Sequence, residues 1–180
     1  MIILPEEAAH AIRLHGRESY RDEACGVLYG RADAEGKRVV RAAPMVNSRE
    51  DERHRRFVVT PADYLRAEAE ASRSGLTLLG FYHSHPDHPA YPSQYDLEHA
   101  FPFFSYVILA VEGGEPKELR SFVLREDRSE FLEEPLRPAR AERARPGGSG
   151  RAEGAAPRES GRPPRARSEG SEPSEERGEP

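Results

Sequence analysis

Apolar positions fall into short blocks along this chain, several alternating with polar residues and most ending at glycine or proline. Behind Pro5, residues Ala8, Ala9, Ile12 and His15 recur at helical spacing, with Glu6 and Glu7 at the positive end of the helix they predict. That helix stops near Gly16 to Tyr20. Ala24 to Gly30 is a short apolar run, 31–37 is polar, and Arg38-Val39-Val40-Arg41 alternates, which predicts two antiparallel strands joined by a loop. Residues 43–56 lack periodicity, are heavily charged and read as an exposed loop, followed by a short strand at Phe57-Val58-Val59. Thr60-Pro61-Ala62-Asp63 supplies an N-cap, a proline at the first helical position and an acid at the third, so a helix begins there and runs to a left-handed cap at Gly75. Leu76 to Tyr82 reads as a buried strand. Ser93 caps a helix reaching about Ala100, Pro102 limits it, and Ser105 to Val111 is the most strand-like run of the chain. Gly113-Gly114-Glu115-Pro116 turns the chain into a strand over 119–125, and a last short strand lies near Phe131 and Leu132. The sum is an α/β domain of the α+β kind, a mixed, mostly antiparallel sheet with helices packed on it.

Composition changes the picture at the C-terminal end. Residues 137–180 contain no Val, Ile, Leu, Met, Phe, Tyr, Cys or His, so the segment has no apolar surface to offset its ordering entropy and is expected to be a disordered Arg/Pro/Gly/Glu-rich tail. The domain is then residues 1–136. Ten arginines against eight glutamates leave the tail at +2 and the remaining residues at −7, an acidic field that disfavours nucleic acid as a partner. The first residues lack a basic region followed by an apolar core, and no window approaches the roughly 18 apolar residues of a membrane span, so no membrane partner and a cytoplasmic location are expected. Cys25 is the sole cysteine, which excludes an internal disulfide.

The chemistry gathers behind the Leu76 to Tyr82 strand. His83 and His85, spaced i, i+2, present both imidazoles on one face. A proline-rich loop follows, then Ser93 and Asp96. Two nitrogen ligands and a carboxylate with a fourth position open describe a catalytic rather than a structural zinc site. Ser93 and Asp96 also form a helix-start signal, and the two readings coexist, because the first turn of a helix is a rigid place from which to aim a carboxylate. Glu23 competes with the adjacent Asp22, but alternation puts Glu23 on the face of Cys25 and Asp22 on that of Ala24. His88 is read as loop or rim and His99 as a supporting or surface group. Cys25, in an apolar strand, is read as inert core, and Tyr91 as a residue lining a substrate groove.

The order His83-Ser84-His85-Pro86, then Ser93 and Asp96, with Glu23 on an upstream strand, resembles the metal signature of the JAMM (MPN-plus) metalloproteases. The resemblance covers about 1–136 and implies a curved sheet flanked by helices, the JAMM/cytidine-deaminase-like fold. It implies one zinc ion per chain held by His83, His85 and Asp96, with Glu23 as general base and Ser93 as oxyanion donor. The short path from Asp96 to Ser105 resembles the compact bacterial members. This implies hydrolysis at the C-terminal Gly-Gly end of a ubiquitin-like sulfur-carrier protein, with release of cysteine or another adduct. The extended tail of that partner is expected to pair with the strand bordering the site, and the loop 43–56 is the expected docking surface. The alternatives are a non-catalytic MPN scaffold, a deubiquitinase-like isopeptidase, and a DNA-repair-associated relative. The sequence leaves the oligomeric state open.

Overall fold

A computed structural model of the chain describes residues 1–45 and 59–139. The expected tail beyond 139, Phe57 and Val58 of the strand expected at Phe57-Val58-Val59, and most of the expected docking loop lie outside the described residues; Val59 is in no strand. Eight strands form one sheet: β1 (Ile2–Leu4), β2 (Cys25–Asp33), β3 (Gly36–Pro44), β4 (Thr77–Pro86), β5 (Ser105–Glu112), β6 (Glu115–Leu124), β7 (Phe131–Glu134) and β8 (Leu136–Pro138). Their spatial order is β7-β6-β5-β4-β2-β3-β1-β8. Three helices, α1 (Glu6–Ser19), α2 (Pro61–Arg73) and α3 (Gln94–His99), complete the domain. Antiparallel pairings join β2 to β3 and β4, and β6 to β5 and β7, whereas β4/β5, β1/β3 and β1/β8 run parallel. The mixed, mostly antiparallel curved sheet expected from the sequence is the observed architecture.

β4 is the spine. It lies between β2 and β5, both of its faces are covered, and residues 78–85 are all buried, which explains why its sequence is a continuous apolar run rather than an alternation. One face carries Leu79 and Tyr82 against Ala8, Ala9 and Ile12 of α1; the other carries Leu78 and Phe81 against Ala67 and Ala71 of α2. Gly80 is required where β4 meets β5, because a Cβ there would stand 1.9 Å from the Ser105 carbonyl oxygen. At the β5–β6 hairpin Gly113 and Gly114 both take positive φ, 57° and 86°, the backbone of a two-residue turn whose twist matches its strands.

The helices follow their sequence signals. Thr60 and Asp63 form a reciprocal capping box at α2, and Gly75 adopts φ 63° after its last turn. Two strands escape the sequence pattern. β1 and β8, three residues each, pair in parallel with one another, Ile2 opposite Leu136 and Leu4 opposite Pro138. The sheet therefore takes in Arg137 and Pro138, beyond the expected domain edge at 136. β4 also runs further than the apolar block, through both histidines to Pro86.

Candidate active site

The parallel step from β4 to β5 needs a crossover, and that crossover brings the chemistry together. His83 and His85 end β4 on one face and are 4 % and 9 % exposed. The chain then passes through a proline-rich loop, whose Ala90 is buried against Ile108, Ala110 and Phe122, into the first turn of α3. Ligand atoms of His83, His85 and Asp96 all lie within 4.8 Å of one another. The two histidine Nε2 atoms are 3.0 Å apart, His83 Nε2 is 3.3 Å from Asp96 Oδ1, and His85 Nε2 is 3.9 Å from Asp96 Oδ2.

The tautomer of His85 follows from its other nitrogen. Nδ1 stands 2.9 Å from the Pro89 carbonyl oxygen, which only accepts, so Nδ1 donates and Nε2 of the neutral ring carries a lone pair aimed at His83 and Asp96. Burial, reinforced by neighbouring His83, brings the His85 pKa down to about 4, so the ring is neutral at pH 7. Asp96 is different. Burial opposes its charge, yet the nearby His83 and the hydrogen bonds from Ser93 outweigh it and hold the carboxyl below its ordinary range. A tetrahedral divalent cation with bonds of about 2.0–2.1 Å sets its ligand atoms about 3.3–3.4 Å apart. The 3.0 Å between the two Nε2 atoms and the 3.3 Å from His83 Nε2 to Asp96 Oδ1 lie close to that value, while His85 Nε2 lies 3.9 Å from the other oxygen, Oδ2; two imidazole nitrogens with one carboxylate suit such an ion.

Ser93 and Asp96 form the capping box of α3. The Ser93 backbone N–H and hydroxyl both donate to Asp96 Oδ2 at 2.6 Å, and the Asp96 N–H returns to Ser93 Oγ at 3.2 Å. Oδ1 is the oxygen turned to His83. One carboxylate thus starts a helix with Oδ2, which also lies 3.9 Å from His85 Nε2, and faces His83 with Oδ1.

A cleft of about 800 Å³ opens beside this cluster, lined by Glu23, His85 and Ser93 together with Tyr20, Arg21, Asp87, His88 and Tyr91. Glu23 is half-buried just ahead of β2, and its charge helps raise the pKa of buried Cys25. Burial first, then Glu23 and Asp63, push the Cys25 thiol up to about 12, so it is no thiolate nucleophile. His99 stacks on Tyr95 at 4.0 Å and its Nδ1 lies 2.9 Å from the Tyr95 carbonyl oxygen, outside the ligand cluster.

Three supports carried no recognised signal in the sequence. Ser84, between the histidines but facing the other way, accepts from the Ala24 N–H through Oγ and donates its own N–H to the Ala24 carbonyl, both at 2.9 Å. That double bond pins the backbone beside Glu23 to β4. The Pro89 carbonyl orients His85 and also accepts from the Tyr91 N–H at 2.8 Å. Arg120, paired with Glu133, lays its guanidinium 3.8 Å over the Tyr91 ring and fixes that side of the loop.

The chain is similar to known proteins. The family described as prokaryotic homologs of the JAB domain matches residues 5–125. Desampylase of Haloferax volcanii is 33 % identical over 115 residues, 61 % of this chain and 81 % of its own. A probable TtuB-protein conjugate cleaving protease of Thermus thermophilus is 32 % identical over 124 residues, 69 % of this chain and 73 % of its own. The CysO-cysteine peptidase of Mycobacterium tuberculosis is 30 % identical over 124 residues, 68 % of this chain and 82 % of its own. Among solved structures, the JAB1/MPN domain protein AF2198 of Archaeoglobus fulgidus superposes with a TM-score of 0.50 over 77 % of this chain and 97 % of its own; at 16 % identity it speaks for the fold alone. No helix among the described residues is long and apolar enough to cross a membrane. The family match over most of the chain, on the sheet and cluster described above, shows that this protein belongs to the prokaryotic homologs of the JAB domain.

Proposed function

We propose that the chain is a zinc-dependent peptidase that hydrolyses the amide bond after the C-terminal Gly-Gly of a ubiquitin-like sulfur-carrier protein, in a cytoplasmic setting. The observation that carries this reading is the convergence of His83, His85 and Asp96 within 4.8 Å of one another, with His85 lining a cleft that Glu23 and Ser93 also line. The relatives' names add the substrate class: a peptidase of CysO-cysteine, a protease of TtuB conjugates and a desampylase.

His83, His85 and Asp96 would hold the metal. The chemistry a zinc ion supplies when bound is Lewis acidity, which acidifies water to a pKa of about 7 and polarises a carbonyl. His85 keeps its Nε2 lone pair because Nδ1 is committed to Pro89, and Asp96 keeps its charge against burial because His83 and the Ser93 hydrogen bonds favour it. Glu23 takes a proton from the attacking water. The water oxygen bonds to the terminal glycine carbon, the C–N bond breaks, and Glu23 delivers the proton to the departing amine. Ser93 donates to Asp96 Oδ2, and rotation about its Cβ–Oγ bond turns the same hydroxyl toward an oxyanion in the cleft.

The test is zinc content of the purified protein and of Asp96→Ala, followed by incubation with a sulfur-carrier protein ending in Gly-Gly-Cys. The expected result is one zinc per chain, lost in the variant, and cysteine release by the parent alone. Glu23→Gln should keep zinc and lose turnover. A zinc-loaded parent that releases nothing from any carrier or conjugate would overturn the peptidase reading, and a chain that binds no zinc would favour the scaffold.

A further inference from the structure

We propose that Arg21 recognises the carboxylate of the departing residue, so that the cleft favours carriers extended by an α-linked amino acid over carriers joined to a lysine side chain. This rests on the peptidase reading above and concerns which adduct the site removes.

The wall beyond Glu23 is built as a frame. The Tyr20 hydroxyl donates to Asp87 Oδ2 at 3.0 Å, the Gly113 N–H donates to Asp87 Oδ1 at 2.8 Å, and the Asp87 N–H donates to the Val111 carbonyl at 2.7 Å. One aspartate thereby ties the end of α1, the end of β4 and the β5–β6 turn together, and both of its oxygens are committed to neutral donors. Arg21 follows Tyr20 directly and lines the cleft. It is exposed, and it adds with His88 to the stabilisation of the Asp87 charge. None of the salt bridges among the described residues uses it. Among the described residues lining the cleft, Arg21 is the one permanent cation.

Chemistry converts that placement into selectivity. In an α-linked adduct the departing nitrogen and the carboxylate sit on the same carbon, so a carboxylate oxygen lies within about 3 Å of the atom that Glu23 protonates. Arg21 is two residues from Glu23, a span of at most about 7 Å between Cα atoms, well within the reach of an arginine side chain. A guanidinium takes a carboxylate through two parallel charge-assisted hydrogen bonds. A lysine leaving from an isopeptide ends a four-carbon stem and brings no carboxylate near its nitrogen.

The experiment compares kcat/KM on three probes with the full-length, zinc-loaded chain: a Gly-Gly carrier extended by one cysteine as the free acid, the same extension as the C-terminal carboxamide, and the carrier joined to a lysine side chain. The parent should prefer the acid over the carboxamide by on the order of 10- to 100-fold, the scale of a charge-assisted hydrogen bond. Arg21→Ala should bring that ratio to about one, through KM more than kcat, and Arg21→Lys should restore part of it. A purely structural role for Arg21 would slow all three probes alike and leave the ratio unchanged. Equal cleavage of acid and carboxamide by the parent, or an unchanged ratio in Arg21→Ala, would overturn this inference alone. Cleavage of none of the probes would overturn the peptidase reading and this inference with it.

Discussion

The proposed double use of Asp96, as helix cap and as zinc ligand, gives the sharpest prediction, because two neighbouring substitutions separate the two roles. Asp96 Oδ2 accepts both Ser93 donors at 2.6 Å, while Oδ1 faces His83 Nε2 at 3.3 Å. α3 has six residues and none buried, so its capping box is its main local support. Ser93→Ala removes the hydroxyl and leaves the carboxylate, so stability should fall by about 1 kcal/mol, as for other lost N-caps. Zinc affinity should change by no more than the roughly 10- to 100-fold typical of a group supporting a ligand. Asp96→Asn keeps an oxygen that can accept from Ser93 but removes the charge. A unit charge pair about 4 Å apart is worth about 4 kcal/mol at an effective dielectric of about 20, and with zinc bound the charge here would act on a dication. The expected loss is on the order of 1,000-fold in zinc affinity, with a stability change within about 1 kcal/mol. Urea denaturation of the metal-free proteins measures the stability, and competition with a chromophoric zinc chelator the zinc affinity. An Asp96→Asn protein that binds zinc within ten-fold of the parent would refute the ligand assignment and leave only the helix cap.

Ser84→Ala orphans the buried Ala24 N–H, so it should cost about 1–3 kcal/mol in denaturation. It should also lower kcat with zinc affinity retained, since the pinned backbone carries Glu23 rather than the histidines; a loss of zinc instead would contradict this. Gly80→Ala places a Cβ 1.9 Å from the Ser105 carbonyl oxygen and forces β4 from β5, so it should cost about 3 kcal/mol or more, and a loss below about 1 kcal/mol would show that the strands yield easily. The metal-free protein should lose stability as pH falls from about 6.5 to about 4. His85 titrates near 4 when folded and near 6.5 when unfolded, so the unfolded chain binds the extra proton in that window, a loss of roughly 3 kcal/mol. Urea midpoints at pH 7, 5.5 and 4 measure the slope, which should flatten in His85→Ala; an equal slope in that variant would assign it to other groups.

What was legible in the sequence follows from the range of the interactions. The caps of α2 and α3, the glycine turn between β5 and β6 and the burial of β4 are decided within a few residues, and their residue types are visible in order. β1 and β8 were not legible, because three residues carry no measurable period and each strand exists only through a parallel partner more than 30 residues away in the chain. The supports of the site were hidden for the same reason. Nothing near Ser84 in sequence announces a bond to Ala24, and nothing near Tyr91 announces Arg120.

By itself the sequence determined the ingredients and their local aim: a period of two puts His83 and His85 on one face, and a helix start fixes Asp96 and Ser93 in one turn. The tertiary structure decided their convergence. Only the β4–β5 crossover folds α3 back over the end of β4, only the Pro89 carbonyl sets which nitrogen of His85 is bare, and only the pairing of β2 with β4 brings Glu23 to the same cleft. Each depends on where a remote stretch of backbone comes to rest, a free energy spread over the packed sheet and absent from any single window of the chain.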